Sequence, residues 1–433
     1  MTNRLNALMY KGTSVLFQLK GEEIMAKKVN AVVLQSGGPT AVINKSLYGI
    51  YSAWQVTSAK IYGSLFGING ILKNRLIDLN TLNKALIQGA SECPSAALGS
   101  ARFNLHDKNG LKNETLMKIF EVFDRLDIGY CFLIGGDDSR ENASTIFEYA
   151  KQIGYDLLVI HVPKTIDNDL TFTHHCPGFA SAAKFIAMAV MGIDLDNRAF
   201  PGVMIDVVMG RNAGWLAASS MLAKRNEGMG PHFIYLPESN FSIENFLSDV
   251  SDSVFTCGRA HVVVAEGISE KPCIVEYVSQ IGGTEFLSRL CGVDDFNHAQ
   301  LSGNGFFGTI LRHLLETNLK KSIRVRANTF DYLQRSFPLF SKTDQHQAYM
   351  VGKKAVHFAL DGRSNIMVTL GADEFRYDDA IDFVSLEQVF KDGRGQIKTV
   401  PKDIIVKGNQ ISDDFKTYMG PLVDGLPEVN LLF

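Results

Sequence analysis

The sequence predicts an α/β protein built from two doubly wound domains with mostly parallel sheets. Short apolar runs, many rich in Val, Ile and Leu, end in turns that contain glycine or proline, and helical patterns lie between them. Continuous rather than alternating runs indicate strands that are buried on both faces. Their alternation with helices predicts parallel βαβ units, and about 300 residues of such units exceed what one sheet holds.

The predicted elements follow one another in a regular order. We expect strands at residues 31–34, 130–134, 157–162, 203–208, 233–236 and 261–265. We expect helices at residues 111–126 and 215–225, and further helices that begin at about Pro39 and after Arg140. Residues 1–28 are interpreted as an N-terminal extension in front of the first strand, with Met25 as a candidate initiator.

Composition excludes several classes of protein. The 433 residues contain 43 Lys and Arg against 46 Asp and Glu, a net charge of −3, whereas nucleic-acid binders normally show a basic excess. Apolar runs stay shorter than the roughly 18 residues that a membrane span needs, so no span is predicted. The six cysteines form no C-x-x-C pair and predict reduced thiols, so we expect a cytoplasmic protein.

Polar residues follow the predicted strands at their carboxyl ends, where ligands bind in open α/β sheets. Gly37 and Gly38, ahead of a helix, would let backbone N–H groups approach an anion, although a tight turn is the alternative. Asp137 follows a second glycine pair and could hold Mg²⁺, with an N-cap as the alternative. These strand ends are therefore the predicted place of function.

Residues 163–169 are the most informative of these segments, because Lys164, Asp167 and Asp169 crowd one strand end. A carboxylate beside a cation can act as a base towards a hydroxyl, a second carboxylate can help bind a metal, and a lysine can neutralise a phosphate. A polar turn with local ion pairs is the alternative. Arg324 and Arg326 would share one face of a strand and suit a phosphate, although a single arginine is usually a solvated surface residue.

The ordered motifs resemble the phosphofructokinases, in particular their pyrophosphate-dependent branch, from about residue 29 to the C-terminus. The motifs are Ser36-Gly-Gly38, Gly99-Ser-Ala-Arg102, Gly135-Gly-Asp-Asp-Ser139, Pro163-Lys-Thr-Ile-Asp-Asn-Asp169, Met209-Gly-Arg211, Pro237-Glu238 and Tyr332-Leu-Gln-Arg335. The resemblance implies two Rossmann-like domains that face each other across a cleft. Residues 29–175 with about 330–370 would bind the phosphoryl donor and Mg²⁺, and residues 176–329 with 371–433 would bind fructose 6-phosphate.

The resemblance also implies a reaction and a role for each matched residue. A phosphoryl group would pass reversibly from pyrophosphate to the 1-hydroxyl of fructose 6-phosphate, with Mg²⁺ as the cofactor. Asp167 would be the general base, Thr165 would lie beside the reacting phosphoryl group, and Asp137, with Asp169, would hold Mg²⁺. Gly38 and Arg102 would contact the donor. The implied fructose 6-phosphate contacts are Met209, Gly210, Arg211, Glu238, Arg326, Tyr332 and Arg335.

Two positions decide which donor the resemblance favours. ATP-using members resembling this chain have glycine where Asp138 and Lys164 stand. Asp138 would repel and exclude the nucleotide, and Lys164 would add positive charge where pyrophosphate is held. An ATP-dependent phosphofructokinase and a non-catalytic regulatory paralogue remain the alternatives.

The resemblance further implies a homodimer or homotetramer in which a neighbouring subunit can supply two of the arginine contacts. A family arginine seven residues before Met209 is replaced here by Gly202. Although the chain carries a slight negative charge, the expected site gathers cations, and net charge says little about a cleft that concentrates its own charge. These cations are Arg102, Lys164, Arg211, Arg326 and Arg335.

Overall fold

The computed structural model describes residues 28–107, 110–226, 228–290, 292–293, 299–300, 305–319, 323–371, 380–393 and 395–431. All but the last residue of the predicted extension 1–28 therefore lies outside the described residues. None of the helices in these ranges is long and apolar enough to cross a membrane.

The strands occur in the order that the apolar runs predict, with additional short strands between them. They are β1 Asn30–Gln35, β2 Ile61–Ser64, β3 Leu76–Asp78, β4 His106–Asp107, β5 Gly110–Leu111, β6 Ile128–Gly135, β7 Leu158–Pro163, β8 Val203–Val208, β9 Phe233–Tyr235, β10 Ala260–Ala265, β11 Gly292–Val293, β12 Ala299–Gln300, β13 Val325–Thr329, β14 Ile366–Leu370, β15 Ile381–Ser385, β16 Ile405–Val406 and β17 Gln410–Ile411.

The helices alternate with the strands of the two main sheets. They are α1 Ile43–Trp54, α2 Ile68–Leu72, α3 Lys84–Ser91, α4 Asn113–Arg125, α5 Asp137–Ile153, α6 Phe179–Ala199, α7 Trp215–Ser219, α8 Ile243–Cys257, α9 Pro272–Leu290, α10 Phe307–Asn318, α11 Leu333–Ser336, α12 Lys342–Leu360, α13 Leu386–Val389 and α14 Asp414–Val423.

The first domain is built on a seven-stranded sheet in the order β15-β14-β7-β6-β1-β2-β3. Strands β2, β1, β6, β7 and β14 are parallel, and β3 and β15 add antiparallel edges. The chain passes from β1 to β2 on one side and returns to β6 on the other side of β1. Such a reversal opens a crevice between two neighbouring strand ends, and ligands bind there. The turns after β1 and β6 are therefore placed side by side.

The second domain is built on a four-stranded parallel sheet in the order β13-β8-β10-β9. In both sheets the side chains of successive residues pack into separate cores on opposite faces, as expected for strands covered by helices on both sides. In β1, Ala31 and Val33 join one core, whereas Val32 and Leu34 join the other. In β10, Val263 and Val264 are divided in the same way. The fold is thus two Rossmann-like α/β domains, as predicted.

The structure moves one predicted domain boundary. We assigned residues from 371 onwards to the second domain, but β15 pairs along its whole length with β14 and so extends the first sheet. The chain crosses later, because α14 packs its apolar side chains into the core that α6 and α7 share. The sequence does not show which sheet a short antiparallel edge strand joins. The residues favoured in such a strand depend on the neighbouring strand, and the sequence alone does not identify that neighbour.

Two predicted helix starts also differ from the structure. The helix expected from about Pro39 begins at Ile43, so residues 37–42 form a longer loop than the glycine pair indicated. The helix expected after Arg140 begins at Asp137, which places Asp137 and Asp138 in its first turn rather than at its cap. Carboxylates in a first turn interact favourably with the positive end of the helix dipole, which contributes to the stability of this helix start.

A buried ionic network fixes the C-terminal half of α6 to the second sheet. The His261 imidazole lies between Asp194 Oδ1 at 3.2 Å and Asp206 Oδ2 at 2.8 Å, and Arg259 donates to the same Asp194 oxygen at 2.6 Å. Although burial opposes a charged imidazole, hydrogen bonds to the two carboxylates raise the pKa of His261 to about 9. Two residues further along α6, Asp196 forms an ion pair with the Arg326 side chain.

Candidate active site

The carboxyl ends of the two sheets line a common cleft of about 600 Å³. Of the fifteen predicted site residues, twelve line this cleft, and they come from both domains and from the turns after β1, β6, β7 and β8. They are Gly38, Arg102, Asp137, Asp138, Lys164, Thr165, Asp167, Asp169, Met209, Arg211, Tyr332 and Arg335. Gly210, Glu238 and Arg326 do not line it.

The turn after β1 and the turn after β7 are joined by a buried lysine. The Lys164 ammonium donates to the Gly38 carbonyl at 2.7 Å, and its side chain is among the buried polar groups. Gly37 has φ +76°, and a Cβ there would lie 3.2 Å from the Lys164 nitrogen. A side chain at position 37 would therefore be strained and would crowd the cation. Burial lowers the pKa of Lys164 to about 8, because removal from water disfavours the charged ammonium.

The loop that carries Arg102 is anchored to the same glycine turn. Gly37 N–H donates to Ala101 O at 3.1 Å, and the Ser100 hydroxyl donates to Gly37 O at 2.6 Å. The exposed Arg102 side chain thus lies at the cleft beside Lys164. Arg335 adds a third cation here, because its guanidinium would be 3.2 Å from a Cβ at Gly38 and stacks at 4.7 Å over the Tyr332 ring. The three cations make this half of the cleft suitable for phosphate groups.

The turns after β6 and β7 supply the acidic half of the cleft. Asp137 is held in an ion pair with Arg140, a fully buried residue on the same helix. Asp169 Oδ1 is buried and has no hydrogen-bond partner among the described residues. Burial and then the neighbouring Asp167 raise the pKa of Asp169 to about 7. An acceptor oxygen that is buried without a donor costs free energy, and a bound cation would satisfy it.

Asp167 lies between these two halves. Its backbone N–H donates to Thr165 Oγ1 at 3.0 Å, so the threonine side chain closes the turn in front of it. Removal from water, followed by the negative charge of Glu266, raises the pKa of Asp167, whereas Arg335 and Lys164 oppose that rise. A carboxylate with a raised pKa is a stronger proton acceptor than an ordinary one, which suits a general base.

The second domain contributes the turn after β8 and the residue after β10. Met209 is held by its N–H, which donates to Gln334 Oε1 at 3.2 Å, and Gly210 has φ +136°. The Arg211 Nε lies 2.9 Å from Glu270 Oε1. Glu266 lines the cleft and accepts from Gly210 N–H at 3.5 Å. Burial raises the pKa of Glu266, so this carboxylate is another group suited to hydrogen bonding a polar ligand.

Comparison with known proteins shows the family to which this chain belongs. A family model described as Phosphofructokinase matches residues 30–359. The chain belongs to the phosphofructokinase family. It is 39% identical to the pyrophosphate--fructose 6-phosphate 1-phosphotransferase of Rhodospirillum rubrum, over 93% of this chain and 96% of that one.

Solved structures show the same relationship. The phosphofructokinase fold of this chain matches a crystal structure of a pyrophosphate-dependent phosphofructokinase from Marinobacter aquaeolei, with a TM-score of 0.76 at 34% identity and 93% of each chain covered. A second match is a pyrophosphate-dependent phosphofructokinase from Nitrosospira multiformis, with a TM-score of 0.78 at 32% identity and 94% of each chain covered.

This phosphofructokinase cleft is lined by Glu266, which we had not predicted, and not by Glu238, which we had. Glu238 Oε1 accepts from the N–H groups of Gly214 at 3.0 Å and Val400 at 2.9 Å, so this carboxylate is engaged by the backbone outside the cleft. Both glutamates follow a strand of the second sheet, β9 for Glu238 and β10 for Glu266. Glu266 could have been found by the same signal, a polar residue at the end of a predicted strand. Nothing in the sequence showed which of the two strand ends faces the first domain.

The charge balance of the cleft also differs from our expectation. Four of the five expected cations line it, together with the carboxylates of five residues, so the phosphofructokinase cleft by itself holds no excess of positive charge. The missing cation is Arg326, which lies on β13 and pairs with Asp196 Oδ2 at 2.6 Å. The lining carboxylates are Asp137, Asp138, Asp167, Asp169 and Glu266.

Proposed function

We propose that this chain transfers a phosphoryl group from pyrophosphate to the 1-hydroxyl of fructose 6-phosphate, giving fructose 1,6-bisphosphate and phosphate. The observation that carries the choice of donor is the pair of residues in the donor half of the cleft. The Lys164 ammonium lies against the glycine turn, where it would neutralise donor phosphates, and Asp138 lines the same cleft. The names of the relatives at 39% to 34% identity agree with this activity.

The chain's own residues perform the reaction mainly by position and charge, as in phosphoryl transfer generally. Asp167 accepts the proton of the sugar hydroxyl as that oxygen attacks the phosphorus, and Thr165 keeps the Asp167 turn closed. Lys164 and Arg102 neutralise the donor and the departing phosphate. Arg335, on the same wall, suits the phosphate of the sugar. A regulatory paralogue without catalysis is disfavoured, because all three acidic residues that the reaction requires line the cleft.

We infer that Mg²⁺ is held by Asp169 and Asp137. The buried Asp169 oxygen without a donor and the excess of carboxylates fit a cation. Mg²⁺ is typically bound through one or two carboxylates together with substrate phosphates, and these two aspartates would supply the carboxylates. When bound, the ion would neutralise charge on the oxygens of the pyrophosphate.

Donor choice is the first prediction. Purified protein with Mg²⁺ and fructose 6-phosphate is expected to form fructose 1,6-bisphosphate with pyrophosphate, at a kcat/KM at least ~10²-fold above that with ATP, because an unfavourable charge and volume oppose the nucleotide. Fructose 1,6-bisphosphate and phosphate should regenerate pyrophosphate in the same preparation. Activity with ATP and none with pyrophosphate would contradict the proposal.

The position of Arg326 supports a proposal about the assembly of the chain. It lies on β13, the edge strand of the second sheet, and donates to Phe200 O at 2.9 Å, outside the cleft of its own chain. Phe200 is a large hydrophobic residue that is 64% exposed. An unpaired edge strand beside an exposed aromatic side chain favours coverage by another chain. We infer a homo-oligomer in which Arg326 reaches the sugar phosphate in the cleft of a neighbouring copy.

A complementation experiment tests this arrangement. The Asp167→Ala and Arg326→Met variants should each be nearly inactive alone. When they are co-expressed, mixed dimers contain one site with both native residues, so about a quarter of wild-type activity is expected from random pairing. If co-expression restores no activity, the contact between Arg326 and the cleft of a neighbouring copy is contradicted. Co-expression of each variant with itself is the matched control.

A further inference from the structure

The segment of residues 396–400 lies beyond the part of the chain that matches the family model, which ends at residue 359. We call residues 396–400 the C-terminal strap. It contacts both domains under the acidic half of the cleft, and its Ile397 lines the cleft. On the first-domain side, Gln396 O accepts from Arg140 at 3.3 Å, and Ile397 forms an antiparallel bridge with Leu170.

The strap continues onto the second domain without a break. Lys398 O accepts from the Trp215 indole N–H at 2.9 Å, at the start of α7. Val400 N–H donates to Glu238 Oε1 at 2.9 Å, and the same oxygen accepts from Gly214 N–H. The position that we had expected to contact the sugar thus holds the strap instead. The strap is therefore joined to Trp215 directly and to Gly214 through Glu238. Gly214 and Trp215 begin α7, shortly after the Met209–Arg211 turn.

Lys398 connects the strap to the turn that contains the proposed base. Its backbone N–H donates to Asp169 O at 2.7 Å. Its ammonium donates to Asn168 Oδ1 at 3.1 Å, Thr173 O at 3.1 Å and His174 O at 2.8 Å. All three protons of the ammonium therefore have acceptors, as a largely buried lysine requires. The ammonium also lies 5.1 Å above the Trp215 ring.

Asn168 is the residue through which Lys398 would act. It is fully buried and has φ +53°, a left-handed conformation that turns the chain between the two flanking carboxylates. That conformation disfavours most side chains, and asparagine tolerates it better than most. The Asn168 amide is held at both ends, because its Oδ1 accepts from Lys398 and its Nδ2 donates to the Tyr418 hydroxyl at 2.9 Å. Rotation of this turn would displace Asp167 and Asp169 together.

We propose that Lys398 is a positioning residue, and that the C-terminal strap sets the geometry of the Asp167–Asp169 turn for phosphoryl transfer. This rests on the proposed function, because it assigns the strap a role in that reaction. Lys398 does not line the cleft, so it would touch neither substrate nor metal. It acts by fixing Asn168 and the backbone of Asp169, so that the base and the metal carboxylate keep their relative positions when the substrates bind.

The test compares Lys398→Met with Lys402→Met, two residues beyond the strap, where the lysine is exposed. Displacing a catalytic group by about 1 Å can cost ~10²-fold in rate. We therefore expect Lys398→Met to lower kcat about 10- to 100-fold, with both KM values within about threefold of wild type. Lys402→Met should match the wild type. A kcat of folded Lys398→Met within about twofold of wild type would overturn the proposal.

A double-mutant cycle separates positioning from general stabilisation. Because Lys398 acts through Asn168, Asn168→Ala should lower kcat comparably, and the double variant should be no slower than the slower single variant. Multiplicative losses would overturn the proposal. If Lys398→Met does not fold, Asn168→Ala alone decides, and an unchanged kcat there is the contradicting result. All rates are measured with whichever donor the wild type uses, so a wrong donor assignment would be seen separately in the wild type.

Discussion

Replacing Asp167 by asparagine is expected to lower kcat at least ~10²-fold, within the usual contribution of a general base. The substitution keeps the size of the side chain and its place behind Thr165, but the amide cannot accept the proton of the sugar hydroxyl. Because binding groups elsewhere in the cleft are unchanged, the KM for fructose 6-phosphate should change much less than kcat. Steady-state kinetics with saturating pyrophosphate and Mg²⁺ measure both.

The pH dependence gives this prediction a second readout. The pKa of Asp167 is raised by its removal from water and by Glu266, so the wild-type rate should fall on the acidic side at a higher pH than for an ordinary carboxyl. The variant should lose that acidic limb together with its rate. Asp156→Asn is the matched control, since Asp156 is exposed and precedes β7 at the opposite end of the same strand. Near-normal turnover in Asp167→Asn would remove Asp167 from the mechanism.

Replacing Lys164 by methionine is expected to lower kcat/KM for pyrophosphate about 10- to 100-fold, the range for a hydrogen bond to a charged group. Methionine has a similar length and suits a buried position, so the loss reflects the ammonium rather than the volume. The KM for fructose 6-phosphate should change little, because Lys164 lies at the glycine turn of the donor half. Lys151→Met, on the exposed last turn of α5, should leave both constants unchanged.

We expect the lowered pKa of Lys164 to set the alkaline limb of the wild-type pH profile. With a pKa of about 8, the ammonium of the free enzyme loses its proton above that pH, and kcat/KM for pyrophosphate should then decline. Lys164→Met has no such group, so its kcat/KM should be flatter between pH 7.5 and 9, a window of roughly one unit around that value. An unchanged alkaline limb in the variant would assign the limb to another residue.

The sequence determined the fold class and most of the cleft because both depend on local patterns. A strand buried on both faces is a continuous apolar run, and a ligand site at its carboxyl end is the polar segment that follows directly. Lys164, Asp167 and Asp169 are close together in space because they are close together in the chain. The same pattern placed Gly38, Asp137 and Met209, and the order of the strands brings those turns together.

Tertiary structure decided what depends on partners far apart in the chain. Glu238 and Glu266 each follow a strand of one sheet, and their sequences alone do not distinguish them. The strap binds Glu238 by a backbone N–H more than 160 residues away, and this leaves Glu266 as the glutamate of the cleft. The edge strand β15, the pairing of Arg326 with Asp196, and the hold of Lys398 on Asn168 are decided in the same way. Such contacts are selected by the packing of the whole chain, because hydrogen-bonding and charged groups pair with whatever neighbour the fold brings within reach.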